Sequence, residues 1–380
     1  MKTTLVLNLL LALLTACSVE ITEVTPVPSP NLLVTPTALA LQPPGIESLT
    51  PLSSTPTPGS TMPLPAINLN LTGHLLFFKY EPDSHPFLVK FDLTSGALTT
   101  LYHPPDKAGF SDAAISPDGT QLVMIYAPPP PPGQQRPSEM GLYVMPTECA
   151  SRPEGCGSEA PSPLLKQNDR ELFVYPVWSP DGQYIYYSHF VYEGDLDTSD
   201  YTIERIAYPA GQPEVLVENA LWPSLSPDGT KLAYFSFDPA NFTEMLNVAE
   251  ANGANPKLVI PANAFSFMDD HFFSPDGSAI IFSAPGNSAA VDPSWLERLL
   301  GIQTASAHGL PADWWRVPVQ GGQPERLTQI SAEGLYGAFA PDGRHIAFVD
   351  FDGVYIMKPD GTEILQLLSP GGSGMLQWQE

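Results

Sequence analysis

Positive charge is what this chain has least of. Its 380 residues include 16 Lys and Arg against 41 Asp and Glu, a formal charge of -25. A surface of that sign repels phosphate backbones and anionic headgroups, so nucleic acid is not expected as a partner. Catalytic signatures are also missing. No GxSxG elbow, HExxH pair or glycine-rich phosphate loop occurs, which removes the usual serine-hydrolase, zinc-protease and nucleotide-binding readings. The seven histidines stand at 74, 85, 103, 189, 271, 308 and 345, whereas a metal centre needs several side chains converging on one point. No resident cofactor is expected, and binding is a better expectation than catalysis. Long apolar runs are scarce as well, and the most apolar one, Leu5 to Leu14, is too short to remain in a bilayer as a helix. Proline and glycine, by contrast, are abundant: 44 Pro and 29 Gly in a chain that is 43% hydrophobic point to many turns around a large core, hence to an all-β protein.

The N-terminal residues carry an address. MKTTLVLNLLLALLTAC has one basic residue, Lys2, then the short apolar run, then Leu14-Thr15-Ala16-Cys17. Residues 1–16 therefore read as a cleaved export signal. The tetrapeptide LTAC resembles a bacterial lipobox, which implies a lipid on the Cys17 thiol and a membrane-anchored, extracytoplasmic chain. The competing reading is an ordinary signal that happens to end near a cysteine. Ser18 is not the aspartate that would imply retention at an inner membrane, which leaves an outer membrane open. From Ser18 to Ala66 the chain has 11 Pro, 8 Thr and 6 Ser, with only Glu20, Glu23 and Glu47 charged. Such a segment buries too little apolar surface to offset its chain entropy, so 17–66 is expected to be a disordered stalk. Cys149 and Cys156, close together in an exported chain, are expected to form a disulfide.

Beyond residue 66 the chain repeats itself. SPDG occurs at 116, 179, 226 and 274, and APDG at 340, with separations of 63, 47, 48 and 66 residues. Proline suits the first corner of a tight turn and glycine tolerates the left-handed conformation that follows, so each copy predicts a hairpin. A short apolar strand precedes each copy, and a longer strand and then two more follow it. Four strands per unit match a propeller blade, and the two longer spacings match a blade with an insertion. KPDG at 358 breaks the rhythm and predicts a turn between the third and fourth strands of the last unit. HLLFFKY at 74–80 opens a further unit with no strand before it, and GMLQWQE at the C-terminus supplies one, with Trp378 standing where Trp178 stands in YPVWSPDG. The expectation for 67–380 is a six-bladed β-propeller of four-stranded antiparallel blades, closed by the C-terminal strand and monomeric.

These SPDG-led units resemble the TolB-type β-propeller repeat over the whole of 67–380. The resemblance implies the six-bladed ring but says little of function, because propellers host binding, scaffolding and several chemistries. TolB acts with periplasmic partners. The lipid anchor and stalk depart from that pattern, so a role in the Tol system is not carried over.

If the strand before SPDG is innermost, the SPDG hairpins share one face and the longest connections, 127–140, 189–200 and 284–313, share the other. Elaborated loops on one rim are where binding is expected. Four residues before each Ser of the motif stand Asp112, Tyr175, Trp222, Asp270 and Tyr336, with Met375 equivalent in the closing strand and His271 beside Asp270. Three aromatics and two carboxylates around one opening would hold a sugar, a peptide amine or a cation. Alternatively, they fill gaps between blades and cap turns. Glu193, Asp195, Asp197 and Asp200 have the acidic spacing of part of a calcium loop without its glycine or terminal glutamate, so a solvated acidic loop competes with Ca2+ binding there. DPSWLERLLGIQ, from Asp292, reads as a short amphipathic helix. The function expected is a membrane-tethered module binding a protein, a peptide or an envelope polymer. The alternative is a carbohydrate or small-molecule sensor or enzyme acting at the channel mouth.

Overall fold

The computed structural model describes residues 71–80, 86–134, 140–152, 154–168, 170–192, 199–237, 243–286 and 311–380. The export signal, Cys17, the stalk, Glu193, Asp195, Asp197 and the helix from Asp292 lie outside the described residues. Within them the chain forms six sheets of four antiparallel strands. Blade 1 runs from Gly109–Ile115 to Ser162–Lys166, blade 2 from Glu171–Trp178 to Glu214–Glu218, and blade 3 from Ala220–Leu225 to Lys257–Ile260. Blade 4 runs from His271–Phe273 to Glu325–Arg326 and blade 5 from Tyr336–Phe339 to Leu365–Leu368. The sixth sheet joins the two ends of the chain, with the C-terminal Ser373–Gln379 antiparallel to His74–Lys79.

The strand preceding each motif is the innermost one. Gly109–Ile115, Glu171–Trp178, Ala220–Leu225, His271–Phe273, Tyr336–Phe339 and Ser373–Gln379 touch one another in that order, and the last touches the first. The ring is thus closed, and no inner strand keeps an exposed edge. Second strands such as Gln121–Ala127 and Ala279–Ala284 are buried nearly throughout, and their β-branched, Leu and aromatic side chains fill the seams between blades. At the closure seam the Ile115 amide donates to Gln377 Oε1 at 2.8 Å, and the Trp378 indole donates to the Thr72 carbonyl at 3.0 Å. In the seam between blades 1 and 2 the Trp178 indole donates to the Ala114 carbonyl at 3.0 Å.

The repeated tetrapeptide is a self-contained hydrogen-bond unit. In blade 1 the Ser116 hydroxyl donates to Asp118 Oδ1 at 2.6 Å and accepts from the Gln121 amide at 2.9 Å, while Thr120 N donates to the same Asp118 oxygen at 3.0 Å. Gly119 closes the turn at φ +73°, a conformation that costs glycine little and other residues more. Blades 2, 3 and 4 repeat these bonds at Ser179, Ser226 and Ser274. Where alanine replaces serine, in blade 5, the Ala340 N to His345 carbonyl, Gly343 N to Ala340 carbonyl and Arg344 N to Asp342 bonds remain, and the two bonds of the hydroxyl are lost. The chemistry of the motif is consumed by the turn.

Cys149 and Cys156 are bonded, as expected, and both are buried. Their loop lies against the outer strand Leu98–Tyr102 of the closing blade, with the Cys156 amide on the Leu101 carbonyl at 2.5 Å and the His103 amide on the Gly157 carbonyl at 3.1 Å. Gly155 passes so close to Thr100 that a Cβ would meet its carbonyl oxygen at 1.6 Å. The disulfide loop thereby joins blade 1 to the outer edge of the closing blade and satisfies part of that edge.

Candidate functional site

Each inner strand enters the ring from the face opposite the SPDG turns; the closing strand shifts register between Ser373 and Gln377, and three others enter through a β-bulge. Ser111 and Asp112 together oppose Ile125, Tyr175 and Pro176 oppose Tyr187, and Trp222 and Pro223 oppose Tyr234. A bulge re-aims the side chain that it carries. Tyr175 and Trp222 take φ +56° and +62°, which bulky residues rarely adopt and which costs on the order of 1–3 kcal/mol each. What this backbone produces is a coplanar pair. The two rings stack at 4.4 Å with 4° between their planes, and both remain half-buried. The Trp222 amide is held by Ser188 Oγ at 2.9 Å.

Carboxylates surround the pair. Burial pushes the Tyr175 hydroxyl well above its ordinary range, and the charges of Asp112, Asp269 and Glu244 push it further. Tyr336 is raised in the same way by burial, by Asp269, by Tyr175, by Asp270 and by Asp112. Asp112, Tyr175, Trp222, Asp270 and Tyr336, delivered by five different blades, therefore do share one neighbourhood at the mouth. Met375 of the closing strand is half-buried.

Two residues depart from the simplest arrangement. Asp270 is buried, and its Oδ2 accepts the Gly337 amide of the next blade at 2.7 Å, so it bridges two inner strands. Burial pushes its carboxyl up to about 8, with Asp269 adding to the rise and the Gly337 amide opposing it. His271, next in the chain, turns to the other side. Its ring packs against Phe235 at 4.6 Å and Trp222 at 6.4 Å. Neither ring nitrogen makes a hydrogen bond, although the Ala233 backbone lies close enough to favour the charged form slightly, and burial holds the imidazole down at about 4.

Three participants were not expected from the sequence. Asp269 is buried beside Asp270, in an irregular stretch where strand alternation gives no guide. Glu244 opens the third strand of blade 3 and accepts the Met268 amide. Tyr80 directly follows the second strand of the closing blade. The residue is 55% exposed, yet its hydroxyl bonds to Ser373, and burial there, with the charge of Asp112, raises its pKa. One available signal was position, since Glu244 and Tyr80 both flank connections on the elaborated face.

Of the acidic loop, Asp200 is exposed at the start of its strand. Among the described residues no group of three or more His, Cys, Asp or Glu side chains is placed to hold a metal ion. At the base of the 287–310 segment, fully buried Asp313 accepts Arg326 Nη2 at 2.7 Å and the Ile330 amide at 2.6 Å, while Arg326 Nη1 donates to the Gly286 carbonyl at 3.0 Å. That ion pair anchors both ends of the longest connection on the elaborated face.

The fold of the ring matches solved structures. The structure of a TolB from Agrobacterium tumefaciens superposes with a TM-score of 0.51 at 18% identity, covering 80% of this chain and 91% of that one. The fold is a TolB-like six-bladed β-propeller. TolB from Acinetobacter baumannii gives a TM-score of 0.52 at 14% identity, over 80% of this chain and 65% of that one. The oligogalacturonate lyase of Vibrio parahaemolyticus gives 0.50 at 12% identity, over 78% and 75%. At such identities a TolB-like propeller shares architecture alone, and proteins named for quite different roles share it. No protein-family model matches the sequence, and no curated protein does.

Proposed function

We propose that this TolB-like propeller is a lipid-anchored extracytoplasmic interaction module that receives a protein or peptide partner at its channel mouth. The observation that carries the reading is the half-buried Tyr175–Trp222 stack, held in a costly backbone conformation where two inner strands enter the ring. Aromatic rings with an apolar face and a polar edge are what partner-binding sites favour. The LTAC motif at Cys17 and the proline-rich stalk support tethering, and the Cys149–Cys156 disulfide supports an oxidising compartment. A carbohydrate or envelope-polymer ligand is the second reading, favoured by the same flat aromatic surface.

Affinity capture of the anchored protein from its own membranes tests the proposal. A partner recovered with the wild type is expected to be lost with Trp222→Ala and kept with Asp228→Lys on the SPDG face. Retention by Trp222→Ala, with the fold intact by circular dichroism, would assign binding to another surface.

A further inference from the structure

Blades 1, 3 and 5 lean on the blade before them through the connection between their third and fourth strands. In blade 3 it brings Gly253 so close to the outer strand of blade 2 that a Cβ would meet the Leu216 carbonyl oxygen at 2.3 Å, and in blade 5 Gly361 approaches the Leu327 carbonyl oxygen of blade 4 likewise, at 2.2 Å. Both are short turns closed by their own backbone, with the Gly253 amide on the Glu250 carbonyl at 2.8 Å and the Gly361 amide on the Lys358 carbonyl at 2.9 Å. Blade 1 is built differently. Residues 147–161 separate its third and fourth strands, and among the described residues of that stretch the one regular element is the 3-10 turn Glu148–Ser151. This loop makes the equivalent contact, Gly155 on Thr100, with the Cys149–Cys156 bond inside it.

We infer that this disulfide is a redox-sensitive clasp on the outer edge of the closing blade, fastened by oxidation and released when a dithiol reduces it. The edge is the strand Leu98–Tyr102, whose carbonyl at Leu101 receives the Cys156 amide, and just past it the His103 amide reaches the Gly157 carbonyl. Cys149 and Cys156 share one apolar cluster with Leu101, Tyr102, Tyr143 and Met145. The bonded pair therefore both closes the loop and covers the edge. A loop of this length has no strand ladder of its own, so its order depends on how far the cross-link restricts the open chain. Joining two residues seven apart makes opening on the order of ten- to a hundred-fold rarer. The exposed Arg152–Glu159 ion pair spans the same loop but, at the surface, adds little. Release stays local. Leu98–Tyr102 keeps its pairing with Phe87–Asp92 on the other side, and the ring is closed elsewhere, by Ser373–Gln379 on His74–Lys79 and by the Ile115 amide on Gln377 Oε1.

The exchange balances with the two sulfurs and a dithiol alone. One thiolate of the dithiol attacks a cysteine sulfur, the Cys149–Cys156 bond breaks and a mixed disulfide forms; the second thiol then attacks that, both cysteines leave as thiols with the two protons, and the reductant leaves as its own disulfide. Cys149 and Cys156 are 0% and 3% exposed, so attack follows lifting of the loop, and each opening that ends in reduction keeps the loop lifted.

The test is hydrogen exchange of the full chain, read by mass spectrometry with and without excess dithiothreitol, with carbamidomethylation at Cys149 and Cys156 reporting reduction. Reduction is expected to speed exchange in 98–103 and 147–159 by about ten- to a hundred-fold, reversibly on reoxidation, and to leave the other blades and 373–379 unchanged. The His103 amide, held by the Gly157 carbonyl, is the sharpest reporter. Gly155→Ala sets a Cβ against the Thr100 carbonyl oxygen and should reproduce the local change with the bond intact. In a Cys149→Ser, Cys156→Ser double variant dithiothreitol should change nothing. A bond that the native protein keeps in dithiothreitol, unchanged exchange after reduction, or faster exchange throughout the ring overturns the inference, as does an equal response to dithiothreitol in the double variant.

Discussion

Replacing Asp270 with asparagine should stabilise the protein at neutral pH, although it alters a buried, hydrogen-bonded residue. The carboxyl moves from an ordinary value of 3.8 to about 8 because burial disfavours its charge. Below pH 3.8 the group is neutral in folded and unfolded chains and costs nothing. Between 3.8 and about 8 the unfolded chain releases the proton while the folded chain keeps it, so folding stability falls as pH rises through that window. The span is about four pH units at about 1.4 kcal/mol each, and water penetration and relaxation reduce the penalty near pH 7 to on the order of 2–4 kcal/mol. Asparagine keeps a carbonyl oxygen for the Gly337 amide, now 2.7 Å from Oδ2, and carries no ionisation to suppress. Urea denaturation at several pH values between about 4 and 9 should show Asp270→Asn gaining on the wild type as pH rises. Asp270→Ala removes the acceptor as well and should forfeit about 1–3 kcal/mol of that gain. A variant less stable than the wild type at pH 8, with the slope unchanged, would mean that the carboxyl is ionised and partnered, which refutes the reasoning.

Other perturbations address the scaffold. Ala340→Ser supplies the hydroxyl that blades 1 to 4 use and should stabilise blade 5 by about 0.5–1.5 kcal/mol in the same assay. Burial of His271 acts on pH dependence in the opposite direction: it stays neutral to about 4 against an ordinary 6.5, so stability is lost as pH falls from 6.5 towards 4, and His271→Phe should flatten that limb. The turn carboxyls of Asp228 and Asp276, held at about 2 chiefly by the Ser226 and Ser274 hydroxyls, contribute stability that is present above 3.8 and lost as pH falls through about 2, which carboxyl chemical shifts would follow. Arg326→Ala leaves the buried Asp313 carboxylate uncompensated and should cost about 3–5 kcal/mol by thermal or urea unfolding. Cys17→Ser should move the protein from the membrane pellet to the soluble fraction.

The frame of the molecule was legible because its signals are local. Pro, Asp and Gly in SPDG dictate a turn wherever they stand, and their spacing counts blades without knowledge of any long-range contact. Even the closure was visible, since Trp378 matches Trp178. The mouth was legible only in part. Counting four residues back from each serine found Tyr175 and Trp222, but nothing in YPVW or WPSL announces left-handed backbone before a proline, or that two rings one blade apart would stack. Asp269, Glu244 and Tyr80 escaped because they reach the opening from an irregular segment and from strand ends, where period-two alternation has no hold. His271 was grouped with the opening by adjacency, yet neighbouring strand residues point to opposite sides, and its ring packs on blade 3 while Asp270 reaches blade 5.

The central claim is that function resides on the face opposite the repeated turns. A photo-crosslinking residue placed at position 80, on the rim beside Asp112, and another at position 230, in the SPDG turn of blade 3, compare the two faces directly in the anchored protein. The account predicts a discrete crosslinked species from position 80, abolished by Trp222→Ala, and none from position 230. A species formed equally from both positions, or from 230 alone, contradicts it.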